Sequence, residues 1–284
     1  MLLNVRFLTN FNLCNQRCGY CVAGQADPDD PRMQERFDSA AYFEILRRLA
    51  ALPHQLNVRI GVRGEFFLSS ELIAGARELT QRANVRSVNL ITNLSFSAAK
   101  YRRLLEGYDL AKVALVASLH PSEIRDEDAW IDNAVEVAGF TDLVACMVAH
   151  PDLLGGLAER LAKMRARGLE VFVQAFKGDH AGRAYPAAYT CQERELLRSL
   201  FYSNHDFEYM LEQKRPGLCN AGHKSLFVDM TGLVRICGMR IVGPRPLGNL
   251  LAGDPIQLYD APRPCTMIIA TRAVDSGGPN VRTG

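Results

Sequence analysis

The chain has no run of apolar residues long enough to cross a bilayer. It has almost no net charge: 33 basic against 31 acidic residues leave +2, which gives no electrostatic case for binding nucleic acid. Low-complexity tracts and clear internal repeats are absent. So is a secretory start, because Asn4, Arg6, Thr9 and Asn10 interrupt the first apolar run. Together these absences exclude a membrane-spanning protein, a secreted disulfide scaffold and a polybasic binding module. They leave a globular chain of 284 residues, 48% apolar, long enough for one large domain with a small appendage. Its free thiols fit a reducing cytoplasm.

Short apolar runs alternate with amphipathic helical patterns. Strands are expected at Val5–Leu8, Asn57–Val62, Val88–Thr92, Val113–Leu119, Leu143–Ala149 and Leu169–Phe176. Helices are expected at Ser39–Leu52, Ser70–Ala83, Ser97–Glu106, within Glu127–Gly139, and at Leu153–Arg167 and Cys191–Tyr202. Six strand–helix units in series predict an α/β fold with a parallel sheet covered by helices. Beyond about residue 205 the rhythm stops. Ser225–Met230 and Leu233–Ile236, joined by Thr231-Gly232, read as a hairpin that brings Cys219 and Cys237 close together.

Cys14, Cys18 and Cys21 follow the first strand in a C-x3-C-x2-C pattern. Thiolates suit iron–sulfur clusters, and three of them on one loop can hold three irons of a [4Fe–4S] cubane, leaving the fourth iron open to a small molecule. A structural zinc would need a fourth ligand, and no other Cys or His lies close by in sequence. A disulfide framework belongs to small secreted chains.

This pattern resembles the signature of the radical S-adenosylmethionine (SAM) enzymes. The resemblance implies that SAM chelates the open iron and that the reduced cluster splits it into methionine and a 5′-deoxyadenosyl radical. It further implies a partial (β/α)6 TIM-like barrel over residues 1–205, with Tyr20 against the adenine. Chemistry then collects at the C-terminal strand ends. Gly64-Glu65, with Arg63 before them, resemble the family's Gly-Gly-Glu segment, which implies a contact from Glu65 to the SAM amino group. Thr92-Asn93-Leu94 resembles its Thr-Asn-Gly segment and points Asn93 toward SAM or substrate. Ser118 stands where the family places a Ser near the SAM ribose or carboxylate. His120 is a candidate substrate contact. Alternation puts Cys146 on one face with Val148 and His150; it is either a buried small residue or a thiol that returns a hydrogen atom to a substrate radical. Gln174 or Lys177 points inward from the sixth strand.

Residues 206–284 resemble the opening of the SPASM and twitch extensions, through Cys219, Gly232 and Cys237. Those extensions end in a C-x2-C pair, whereas here Cys265 is followed by Ile268 in the last position. Three readings of Cys219, Cys237 and Cys265 stay open. They can hold an auxiliary [4Fe–4S] cluster, they can leave Cys265 as a hydrogen donor, or they can bind zinc with His223.

The resemblance implies a cytoplasmic enzyme fed by a one-electron reductant such as flavodoxin or ferredoxin. Its expected substrate is a small polar sugar, aminocyclitol or nucleoside-like molecule that is epimerised or dehydrogenated. A ribosomally made peptide is the alternative; only 13 residues precede Cys14, which leaves no room there for a peptide-recognition domain.

Overall fold

A computed structural model describes residues 1–21, 36–211, 217–237 and 246–264. Its elements run β1 (Leu2–Leu8), α1 (Ser39–Ala50), β2 (Gln55–Gly61), α2 (Ser70–Thr80), β3 (Val85–Thr92), α3 (Ala98–Leu104), β4 (Val113–Leu119), α4 (Glu127–Ala138), β5 (Asp142–Ala149), α5 (Leu157–Ala166) and β6 (Glu170–Ala175). Then come β7 (Gly178–His180), β8 (Arg183–Tyr185), α6 (Cys191–Leu200), α7 (Asn204–Met210), β9 (Leu218–Cys219), β10 (Ser225–Val228), β11 (Leu233–Arg235), β12 (Gly248–Asn249) and β13 (Arg263–Pro264). Several helices start at the cap their sequence announces. Asp38, Ser69, Ser97 and Asp126 each accept a hydrogen bond from a first-turn amide, a contact that stabilises by about 1 kcal/mol each.

Strands β1 to β6 lie side by side in sequence order and run parallel. This is the expected partial (β/α)6 arrangement, left open rather than closed into a full barrel. The hairpin β10–β11, with β12, continues the same sheet beyond β1, and β10 pairs with β1 in parallel. The Asp229 carboxylate closes its turn by accepting from the Thr231 and Leu233 amides.

Alternation along the strands sorts the two faces. Leu3, Val5 and Phe7 of β1, Leu56, Val58 and Ile60 of β2, and Leu115, Ala117 and Leu119 of β4 are buried beneath the helices. Phe7 stacks on Tyr42 of α1 with ring centroids 5.8 Å apart. A Cβ at Gly75 would lie 2.4 Å from the Tyr42 ring, so this glycine sets the close approach of α1 and α2. The intervening residues, among them Arg6, Arg59, Ser118 and Gln174, line the opposite, concave face. Among the described residues no helix is long and apolar enough to cross a membrane.

Candidate active site

The three thiols sit where β1 ends, and the loop that carries them is tied down by the ends of the next three strands. From β2, the Arg63 and Glu65 amides donate to the carbonyls of Phe11 (2.9 Å) and Leu13 (2.8 Å). Between them, a Cβ on Gly64 would meet the Leu13 carbonyl oxygen at 2.0 Å, so only glycine lets the loop lie this close. From β3, the Asn93 side-chain amide donates to Asn15 Oδ1 (2.8 Å) and lies 3.9 Å from Cys14 Sγ, while Asn15 donates to Ser95 Oγ (2.7 Å). From the turn after β4, the Glu123 carboxylate accepts from the Arg17 amide (2.8 Å). The Cys21 amide closes a turn onto the Cys18 carbonyl.

All three cysteines are half-buried and free. Burial, then the nearby charges of Glu123 and Cys21, push the Cys18 thiol up to about 12. A thiol in that setting stays protonated in water and loses its proton to solvent only when a metal cation takes the proton's place on sulfur. The only trio of ligand atoms within single-ion reach among the described residues is His150, Asp152 and His180, inside 4.8 Å of one another. The loop thiols are therefore not gathered as ligands of one metal ion. Three thiolates spread over separate corners of a cubane match the donor set better.

Tyr20 reaches across the mouth of the sheet. Its hydroxyl lies 3.2 Å from His120 Nδ1, and its ring centroid is 5.1 Å from that of His150. Tyr20 is buried, and burial pushes its phenol up to about 12. His150 packs on His180 at 4.5 Å between centroids, and Asp152 Oδ1 lies 3.1 Å from His180 Nε2. Burial pulls the His120 and His150 imidazoles below the ordinary range, so both are neutral at pH 7. The His150–Asp152–His180 group escapes a sequence reading because 28 residues separate Asp152 from its histidine.

The remaining expected residues divide into two groups. Ser118 and Cys146 stand opposite each other in the β4–β5 register, and Gln174 pairs with Val148 across β5–β6; all are on the concave face. The Cys146 thiol is fully buried, and burial pushes it up to about 12, which keeps its proton on sulfur. Glu65 is only 1% exposed. Its carboxylate accepts from the Asn93 amide (2.6 Å), the Thr92 hydroxyl (2.8 Å) and the Phe67 amide (3.1 Å). It serves as an internal bracket between the ends of β2 and β3 rather than standing open to a ligand. Leu94, which replaces the expected glycine, adopts φ +54°.

Cys219 and Cys237 are half-buried. The turn after Cys219 packs against the residue before Cys237, since a Cβ on Gly222 would touch Ile236 and Tyr259 at 2.8 Å. His223 Nδ1 is taken by the Tyr259 carbonyl at 2.8 Å. Arg263 and Pro264 pair with Cys219 and Leu218. Cys265 lies outside the described residues.

No protein-family model matches the chain, and a search of the curated proteins finds no relative. Solved structures do match. The structure of native anSMEcpe with bound AdoMet superposes with a TM-score of 0.57 at 15% identity, covering 87% of this chain and 78% of that one. Streptococcus suis SuiB bound to S-adenosylmethionine gives a TM-score of 0.53 at 12% identity, covering 90% and 67%. At these identities the likeness is one of fold. The chain thus has the partial-barrel fold of AdoMet-bound radical SAM enzymes, the fold that its three-cysteine loop led us to expect.

Proposed function

We propose that the protein is a radical SAM enzyme whose Cys14, Cys18 and Cys21 hold a [4Fe–4S] cluster at the mouth of the sheet. The observation that carries this reading is the loop itself: three free thiols fastened by β2, β3 and β4 at the C-terminal strand ends. Bound SAM would supply a 5′-deoxyadenosyl radical that takes a hydrogen atom from a substrate carbon. The chain's own residues then decide the outcome. Asn93 and Gly64 hold the loop in place, Tyr20 covers one side of the mouth, and Ser118 and Gln174 present polar groups to the ligands. A flavodoxin or ferredoxin would serve as reductant.

Two features bear on the reaction. Cys146 keeps a protonated thiol on the concave face beside Ser118. An S–H there can return a hydrogen atom to the opposite side of a carbon, giving epimerisation. The resulting sulfur radical must then take up one electron and one proton from the reductant system. His180, oriented by Asp152, can instead accept the proton that a hydroxyl-bearing carbon radical loses, while the electron would pass to an auxiliary cluster or, without one, to the SAM-binding cluster, giving dehydrogenation. An auxiliary [4Fe–4S] cluster on Cys219, Cys237 and Cys265 would favour the second outcome; Cys265 as a hydrogen donor would favour the first. The substrate in either case is a small polar molecule. The second reading, modification of a peptide, draws support from the open sheet, in which β6 is an edge strand among the described residues.

The test is iron and sulfide per chain after anaerobic reconstitution, with methionine and 5′-deoxyadenosine release under reducing conditions. About eight irons in the wild type and about four in the Cys14→Ala/Cys18→Ala/Cys21→Ala variant are expected for two cubanes. About four and none would indicate one. Release of 5′-deoxyadenosine by the triple variant would refute the proposal.

A further inference from the structure

Arg6 and Arg59 stand side by side on β1 and β2, directly paired in the parallel register. Their strand neighbours Val5, Phe7, Val58 and Ile60 are buried under the helices, so both arginines project from the concave face. Each lies two residues before the end of its strand; β1 leads on to Cys14, and β2 leads to Gly64, which packs on the cysteine loop. The same row continues through Phe227 of β10 to Arg235 of β11.

The three arginines of this row are not treated alike. Arg235 has a carboxylate, that of Asp229, at 3.5 Å. Arg6 and Arg59 form no hydrogen bond or ion pair with any described residue. The row beneath them brings no negative charge either. Asn57 donates to Asn4 Oδ1, Ser87 to Asn57 Oδ1, and Asn89 to Ser87 Oγ, which makes a neutral floor. Asp142 and Glu170 share the concave face, but they begin β5 and β6 at its exposed far end. Burial, and the positive charge of Arg6, both weaken the hold of the Arg59 guanidinium on its proton.

Two adjacent guanidinium groups, one of them partly desolvated, repel each other unless an anion lies between them. Their planar forks match the paired oxygens of a carboxylate or phosphate. We infer that Arg6 and Arg59 form an anion-binding subsite inside the partial barrel, and that the substrate carries a carboxylate or phosphate group that this pair holds. The inference rests on the radical SAM reading for the identity of that ligand as substrate. It narrows the substrate class to a sugar acid, a sugar phosphate, a nucleotide or an amino acid, and away from a neutral sugar or a cationic aminocyclitol. An anion held by this pair lies on the same concave face that carries Cys146.

The experiment titrates the reconstituted full-length protein with inorganic phosphate and, separately, with malonate. Binding is read by the shift in melting temperature and, for phosphate, by 31P line broadening. Saturable binding of at least one anion is expected, unaffected by saturating SAM. Arg6→Gln/Arg59→Gln should weaken it by about tenfold or more, the loss of a charge-assisted bidentate contact. Without ligand, that variant should melt no lower than wild type, because it removes uncompensated charge; a merely structural arginine pair would give the reverse. Arg6→Lys and Arg59→Lys keep the charge but lose the fork, so they should weaken binding less, and they serve as the comparison if the glutamine variant misfolds. The inference fails if wild type binds neither anion, if the variants bind as tightly as wild type, or if SAM displaces the anion. That last outcome would assign the arginines to the carboxylate of SAM itself. Reductive SAM cleavage by the wild type is scored separately. Its absence would remove the radical reading and leave the anion subsite standing, and loss of anion binding would do the opposite.

Discussion

Gly64 shows how one missing side chain can position a cofactor loop. Alanine there would force the Leu13 carbonyl away and lift the cysteine loop off β2. Gly64→Ala should cost about 1–3 kcal/mol, as other overpacked sites do, and should lose most of its iron on reconstitution while the sheet still melts cooperatively. Iron content equal to wild type would show that the loop has room to adjust. Glu65 is the complementary case. Glu65→Ala would strand three donors in the interior, each costing about 1–3 kcal/mol. A urea denaturation series should therefore show a larger loss than for Gly64→Ala, and a smaller one for Glu65→Gln. Leu94 illustrates what a sequence hides. Its neighbours Thr92 and Asn93 match the Thr-Asn-Gly pattern, and the backbone keeps the left-handed turn that glycine would take. Burial of the leucine side chain offsets the roughly 1–2 kcal/mol that such a turn costs.

Elements whose pattern repeats were legible, and elements without a period were not. Val113–Leu119 is a strand with the ends that its sequence predicts, because every second residue faces the helices. The helix expected from Leu153 begins only at Leu157. Pro151 and the pair Gly155-Gly156 favour a tighter 3-10 turn before it. The hairpin of β7 and β8 and the short helix α7 are not legible, since segments of three to seven residues are too short to show a period. The site shows the same division. The cysteine triplet is contiguous and could be read, whereas the contact of Tyr20 with His120 spans 100 residues and exists only once the loop folds back. Arg6 and Arg59 lie inside strands, where no local motif marks them. The strand-end clasp itself can be probed: Asn93→Ala removes the ties to Asn15 and Cys14 and should slow or reduce cluster assembly. The global melt should change by only about 1 kcal/mol for the lost hydrogen bonds. Unchanged assembly kinetics, followed by visible absorbance, would mean that β2 and β4 hold the loop unaided.

For the molecule as a whole, two imidazoles at the mouth link stability to pH. Burial holds His120 and His150 below the ordinary 6.5. The unfolded chain therefore binds more protons between the folded pKa and 6.5, and stability rises with pH through that window. Below the window both states are protonated, and that stability is fully lost. Urea midpoints should fall as pH drops from 6.5, and His120→Asn/His150→Asn should flatten the slope. An unchanged slope in the double variant would place the titration elsewhere.

The pairing of β10 with β1 joins residues from opposite ends of the chain: Asn4 to Phe7 meet Ser225 to Val228. On the ribosome β1 is made early, and its partner emerges roughly 10–45 s later at ordinary elongation rates. For that interval the nascent protein carries an open sheet edge, the template for strand-to-strand association. A chain stopped after residue 211 would keep that edge for life. It should self-associate in light scattering where the full chain does not.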